Sequence, residues 1–175
     1  MDTATHFERL GLPRRFSLDA AEVERQYLAG SRDVHPDFHQ LGSTAEQSAS
    51  LELTARLNEA YAVLRDPFKR AEYLLTLEGG PTASEQKEMP AEFLEEVLEL
   101  RMEIEELKEQ SPGSPARAAM EKRISQRREA MLAEVAGDFA KLEAGGDKTG
   151  LLRTIRRRLN ALKYVQNLLR DLKAD

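Results

Sequence analysis

Proline and glycine cut this chain into segments whose apolar residues recur every three or four positions, and that punctuation leaves little but packed helices to build from. The breaks fall at Gly11-Leu12-Pro13, His35-Pro36-Asp37, Asp66-Pro67, Gly79-Gly80-Pro81, Ser111-Pro112-Gly113-Ser114-Pro115 and Gly145-Gly146. Phe7, Leu10 and Leu12 mark a short opening helix. Val23, Tyr27, Leu28 and Val34 give the stripe of a second helix, and Leu53, Leu57, Ala60, Tyr61 and Leu64 that of a third. These two can pack as an antiparallel helical hairpin. Start signals agree with this division. Asp19 with Glu22, and Thr44 with Gln47, form capping-box-like pairs, and Asp66-Pro67 places a capping carboxylate before a proline at the first helical position. Phe68, Ala71, Leu74 and Leu75 carry the short helix that follows.

Residues 79–90 read as a linker rich in Gly, Pro, Ser and Thr. Beyond it the chain turns to long Glu-, Leu- and Arg-rich segments, at about 91–110, 115–144 and 148–173, with short connections. Short connections favour antiparallel neighbours. The expected fold is all-α: a helical hairpin domain over 1–78, a linker over 79–90, and an antiparallel three-helix bundle over 91–175.

The chain has 175 residues, a net charge of −5 and no Cys. Without Cys there is no disulfide, no thiolate catalysis, no Cys-ligated zinc and no iron–sulfur cluster held by the chain itself. No apolar run approaches the roughly 20 residues of a membrane span. Met1-Asp2-Thr3-Ala4 opens neither a signal peptide nor an Arg-rich transit sequence, so a cytoplasmic protein without a membrane partner is expected. The acidic balance speaks against nucleic acid as a partner. The basic clusters Arg14-Arg15, Arg127-Arg128 and Arg156-Arg157-Arg158 read as solvated helix faces.

Two places do not serve the core. Pro36 lacks an amide hydrogen and has a locked φ, so the second helix stops there. His35, Pro36 and Asp37 then sit at the tip of the hairpin, where an imidazole and a carboxylate can dock on a partner. The other place is an excess of apolar residues. Phe93, Val97, Leu100, Ile104 and Leu107 form one core seam, and Leu152, Ile155, Leu159, Leu162, Val165, Leu169 and Leu172 another. Leu94 and Leu98 lie about 100° and 140° from the centre of the first seam, and Tyr164 lies roughly opposite the second. If these three meet inside a charged rim, they have the anatomy of a small protein-docking site; if not, they are scattered surface residues. A hydrolase or metal enzyme built on His6, His35 and His39 lacks a nucleophile and a third ligand.

In its context the tip tripeptide resembles that of a J-domain: an apolar helix, His35-Pro36-Asp37, a polar loop, then Asn58-Glu59-Ala60-Tyr61 and Leu64-Arg65-Asp66-Pro67. Phe7-Glu8-Arg9-Leu10-Gly11-Leu12-Pro13, the run Asp66 to Leu75, Gly80 with Ser84-Glu85-Gln86, and the run Phe93 to Arg101 resemble the HscB family of iron–sulfur co-chaperones. The resemblance covers nearly the whole chain and thins between about 111 and 150. It implies a J-domain that binds an HscA- or DnaK-type chaperone and stimulates its ATPase, and a C-terminal bundle that binds an IscU-type scaffold. The chain itself would have no catalytic residue, cofactor or metal. By position, His35, Pro36 and Asp37 would engage the chaperone, with Asp37 facing one of its arginines and Arg25 and Arg32 on the preceding helix as further contacts. Leu94, Leu98, Glu99, Lys163 and Tyr164 would hold the scaffold. Phe38 stands where the family usually has Lys or Arg, and Glu95 where an apolar scaffold contact is common. Glu95 keeps open the alternative of a J-domain protein that delivers another client. Apolar outer-face residues could also pair two copies weakly.

Overall fold

A computed structural model of the chain describes residues 3–34, 37, 42–107, 109–111 and 113–173. Among these residues there are seven helices and no strand: α1 His6–Arg9, α2 Ala20–Val34, α3 Thr44–Leu64, α4 Pro67–Leu77, α5 Ala91–Leu107, α6 Pro115–Glu143 and α7 Lys148–Lys173. The all-α expectation therefore holds. The chain divides into two compact units, the first running to Leu74 and the second beginning at Leu75.

In the first unit α1 begins at a capping box. Thr5 Oγ1 accepts from the Glu8 amide, and the Thr5 amide donates to the Glu8 carboxylate. Phe7, Leu10, Leu12 and Phe16 are buried behind it. At the start of α2, Asp19 Oδ1 accepts from the Ala21 amide at 2.9 Å. Glu22 does not reach back as a capping box would require; it engages Gln26 and Arg25. The α3 cap falls one residue earlier than the Thr44–Gln47 expectation. Ser43 is extended and pairs reciprocally with Glu46, while Gln47 donates to the Gly42 carbonyl.

The α2–α3 hairpin is antiparallel, with Val34 beside Ser50 and Tyr27 stacked on Tyr61 at 4.0 Å. Gly30 lets the helices close, since a Cβ there would lie 3.3 Å from Leu57. This register corrects two expected core positions, Leu28 and Leu53, each 48% exposed. The contact line of α3 runs through Ser50, Thr54, Leu57, Tyr61 and Leu64, so its tip half is polar and Leu53 lies about 100° to one side. Leu28 sits five residues from buried Val23, which turns it about 140° away. At the other end Asp66 Oδ1 accepts from the Phe68 and Lys69 amides to start α4. The buried Arg70 guanidinium donates to the Leu64 carbonyl at 2.6 Å and lies 5.2 Å over the Phe16 ring.

In the second unit the segment read as a linker contains no helix, yet it is held down. Gln86 Nε2 donates to the Arg153 carbonyl, and Asn160 Nδ2 donates to the carbonyls of Gln86 and Glu88 at 2.9 Å each. Gly80 passes so close to Leu75 that a Cβ would sit 2.3 Å from its Cδ1. The three long helices run antiparallel in sequence. Glu96 and Glu103 of α5 meet Arg127 and Arg123 of α6, and Asp138 and Arg117 of α6 meet Arg158 and the Leu172 carbonyl of α7. Phe93, Val97, Leu100, Ile104, Ile124, Val135, Phe139, Ile155, Leu159, Leu162 and Val165 fill the core. Near the end of α7 it is Leu168 that is buried, while Leu169 is half-buried.

The basic clusters of this unit are not plain solvated faces. Arg156 is buried and donates to Asn160 Oδ1, Arg127 forks onto Glu96, and Arg158 bonds Asp138 and Glu134. For Arg127 and Arg158 the partners are carboxylates on neighbouring helices, which a single helix's sequence pattern does not reveal. Arg14 and Arg15 are exposed as expected.

Candidate functional site

Each unit carries one candidate surface. In the first, Asp37 is exposed, whereas His35, Pro36, Phe38 and His39 lie outside the described residues. The structure does describe the root of the tip. The Val34 carbonyl, the last acceptor before His35, receives the buried Ser50 hydroxyl at 2.6 Å, and Thr54 Oγ1 lies 3.2 Å from it. Carbonyls at a helix C-terminus lack intrahelical donors, so the Ser50 hydroxyl satisfies this one and ties the end of α2 to α3, while the Thr54 hydroxyl has its shorter bond, 2.8 Å, to the Ser50 carbonyl. The start of α3 is set by the Ser43–Glu46 cap. Ser50 and Thr54 were missed in the sequence because they occupy core-line positions without being apolar. Their spacing of four on the α3 line was the available signal.

Arg25 and Arg32 are both exposed on α2. Seven residues apart, they share a helix face two turns long. Arg25 pairs with Glu22 one turn earlier, and an exposed pair of this kind contributes little and opens readily to another anion. Elsewhere in this unit the His6 ring packs 4.3 Å from Tyr73 with Nδ1 buried and unbonded, and burial pushes its pKa below the ordinary 6.5. Among the described residues no three His, Asp or Glu side chains converge to hold a metal.

In the second unit Leu94 and Leu98 stand out on α5, 49% and 65% exposed. Tyr164 departs from its expected position. It is not on the outer face of α7 but half-buried between α7 and α5, edge-on to Phe93 at 6.4 Å, with its hydroxyl buried and unbonded. The Arg101 guanidinium lies 5.7 Å over its ring and closes the cleft from solvent. A wheel drawn from the α7 seam cannot place α5, which covers a flank the wheel leaves open. Tyr164 of α7 thus meets, through Phe93 and Arg101, the helix that carries Leu94 and Leu98. Glu99 and Lys163 are exposed beside them. Met102 is 67% exposed and continues the Leu94–Leu98 spacing of four.

On its opposite flank α5 is clamped by two forks, Arg127 on Glu96 at 2.7 and 3.0 Å and Arg123 on Glu103 at 2.7 Å for both bonds. These bonds hold the Glu103 carboxyl below its usual range and raise the guanidinium pKa values. The Arg127–Glu96 fork is half-buried and the Arg123–Glu103 fork exposed, and both lie on the α6 side of α5.

Residues 5–73 match the DnaJ domain family, and residues 89–173 match the HSCB C-terminal oligomerisation domain family. The chain is 34% identical over 167 residues to a co-chaperone protein HscB homolog of Vibrio vulnificus, covering 94% of this chain and 98% of that one. The chain belongs to the HscB co-chaperone family. The HscB homolog of Chromobacterium violaceum is 42% identical over 101 residues, covering 57% of this chain and 58% of the relative. Among solved structures, the chaperone HscB from Vibrio cholerae superposes with a TM-score of 0.79 at 28% identity, covering 97% of this chain and 96% of that one. Human co-chaperone protein HscB gives 0.81 at 23% identity, over 99% and 82%, a likeness of fold. As an HscB-type co-chaperone, the chain carries its tip loop on the DnaJ part and its exposed α5 face on the part specific to HscB.

Proposed function

We propose that this chain is an adaptor, not an enzyme, that delivers an IscU-type iron–sulfur scaffold to an HscA- or DnaK-type ATPase chaperone in the cytoplasm and accelerates that chaperone's hydrolysis. In this reading 1–78 is the J-domain, 79–90 the connection and 91–175 the scaffold-binding bundle. His35, Pro36 and Asp37 act on the chaperone, with Arg25 and Arg32 adding charge on the same helix face. Leu94, Leu98 and Tyr164 hold the scaffold, with Glu99 and Lys163 at the rim. The cluster belongs to the scaffold, because a chain without Cys has no thiolate to hold one.

The observation that carries the reading is the α5 face. Two leucines project from a helix clamped on its other side, next to an aromatic ring roofed by Arg101. Exposed apolar side chains on a rigid support, with a charged rim, suit docking to a folded partner more than core packing. That no described helix is long and apolar enough to cross a membrane is consistent with this.

The test is a pull-down of a purified IscU-type scaffold by the full chain. Wild type should retain the scaffold, and Leu98→Ser with Tyr164→Ala should lose it while the chain keeps its helical circular dichroism. Retention unchanged by both substitutions would reject the scaffold as client and favour a J-domain protein for a different cargo.

A further inference from the structure

One stripe of α6 carries charges that answer to both neighbouring helices. Arg127, Glu134, Asp138 and Lys141 follow one another at steps of seven, four and three. They therefore share one helix face over about 21 Å. Arg127 forks onto Glu96 of α5 at 2.7 and 3.0 Å, and its Nη1 lies 3.6 Å from Glu134 Oε1. The other Glu134 oxygen takes Nη1 of Arg158 on α7, whose Nε donates to Asp138 Oδ2 at 2.7 Å. Asp138 is buried, and Lys141 stands 3.6 Å from its Oδ1. From Glu96 to Lys141 the signs alternate, and every inner member serves two partners.

The helix at one end of this row depends on side chains for its place. The α6 and α7 backbones approach closely along their length, whereas α5 comes near each of them at only a few points. The apolar seam of α5 supplies attraction without direction. The half-buried Arg127 fork supplies direction, because two parallel bonds fix orientation as well as distance. The second fork, Arg123 on Glu103, is exposed and contributes less.

We infer that Arg158 of α7 is a positioning residue for α5: by holding Glu134, it leaves Arg127 on Glu96. It does so without an ion pair or hydrogen bond to any described residue of α5. Without Arg158, Glu134 and Asp138 are like charges four residues apart, which is unfavourable on a helix. Glu134 then has Arg127 as its one described cation. The guanidinium is drawn off Glu96, and α5 loses its directional contact. The functional consequence rests on the scaffold reading above: partner affinity on α5 is set in part from α7.

Hydrogen exchange of the full chain, followed by mass spectrometry on peptides from α5, α6 and α7, tests the inference. Arg127→Gln should speed exchange in α5 about threefold or more. Arg158→Gln should act in the same direction on α5, by about threefold, from another helix. Adding Glu134→Gln to Arg158→Gln removes the competitor for Arg127 and should return α5 to within about 1.5-fold of wild type. Exchange in α6 and α7 should rise alike in both Arg158 variants, since Asp138 loses its closest cation in each. If that loss unfolds the chain, the same comparison in an Asp138→Asn background leaves no buried charge. Unchanged α5 exchange in Arg158→Gln would overturn the inference. So would a double variant whose α5 is as loose as that of Arg158→Gln, which is what a purely structural role predicts. Retention of a purified IscU-type scaffold should fall with Arg158→Gln and recover in the double variant. If α5 exchange follows the expected order but wild type retains no scaffold, the scaffold reading falls and the seating of α5 stands.

Discussion

The two units present their surfaces by different means. In the first, the residues proposed to act on the chaperone follow the end of α2, which the Ser50 hydroxyl holds at the Val34 carbonyl. In the second, the proposed scaffold contacts Leu94 and Leu98 project from a helix anchored by its buried seam, with Arg127 forked onto Glu96. A loop can present an imidazole and a carboxylate in a geometry no helix offers, but losing one bond can move the whole tip. A helix face offers only the spacing of its turns, yet most single changes leave that spacing intact. Substitutions in the first unit should therefore split into those that remove chemistry and those that displace it, whereas in the second they should mainly alter contact area and charge.

The largest effect should come from chemistry removed. Asp37→Asn keeps the size of the side chain and removes its charge, and should abolish stimulation of the chaperone ATPase, a loss of about tenfold or more, without lowering the melting temperature or scaffold binding. Preserved stimulation would remove the tip from the account. Displacement comes next. Ser50→Ala leaves the Val34 carbonyl without its closest donor and should cost about 1 kcal/mol in denaturant unfolding. It should also reduce ATPase stimulation although Asp37 is untouched. A change in stability alone would mean that Thr54 holds the root unaided.

In the second unit Tyr164→Phe should go the other way. Removing a buried, unbonded hydroxyl should stabilise the chain by up to about 1 kcal/mol and leave the Phe93 and Arg101 ring contacts in place. A loss of stability would show that the hydroxyl has a partner in solution.

The smallest effect separates the units by pH. His6 has a folded pKa below its unfolded 6.5, so the unfolded state binds the proton more tightly. The stability this contributes is fully present above 6.5 and is lost as pH falls from 6.5 through the lowered folded value. Glu103, also lowered, from 4.5, contributes stability that is lost only as pH falls below 4.5. Melting followed at Tyr73 and Tyr164 environments by nuclear magnetic resonance should show the first unit weakening at mildly acidic pH before the second. His6→Gln should remove that difference. Simultaneous weakening would contradict the assignment to His6.

Much of this was legible in the sequence because it rests on local chemistry. Gly11, Gly79 and Gly145 follow helix ends, Asp66 and Ser114 cap the helices that follow them, and the seams of α5 and α7 are buried nearly throughout. What was not legible depends on a second helix. Leu28 and Leu53 carried the right spacing but missed the contact line, because Ser50 and Thr54 occupy that line with hydroxyls. Tyr164 looked outward until α5 was placed over it. Arg127 and Arg158 looked like solvated charge because their partners, Glu96 and Asp138, lie on other helices and are not assignable from periodicity. The docking residues divide the same way. Leu94 and Leu98, proposed as scaffold contacts, stand out by their misfit to one helix's seam, while the place of Tyr164 depends on α5.

The claim that one chain carries two cooperating surfaces is tested most directly by the chaperone's ATPase rate, measured with the full chain, with the IscU-type scaffold, and with both. Joint stimulation exceeding the product of the separate effects, lost with either Asp37→Asn or Leu98→Ser, is the expected result. Stimulation by the chain that the scaffold leaves unchanged would contradict the account.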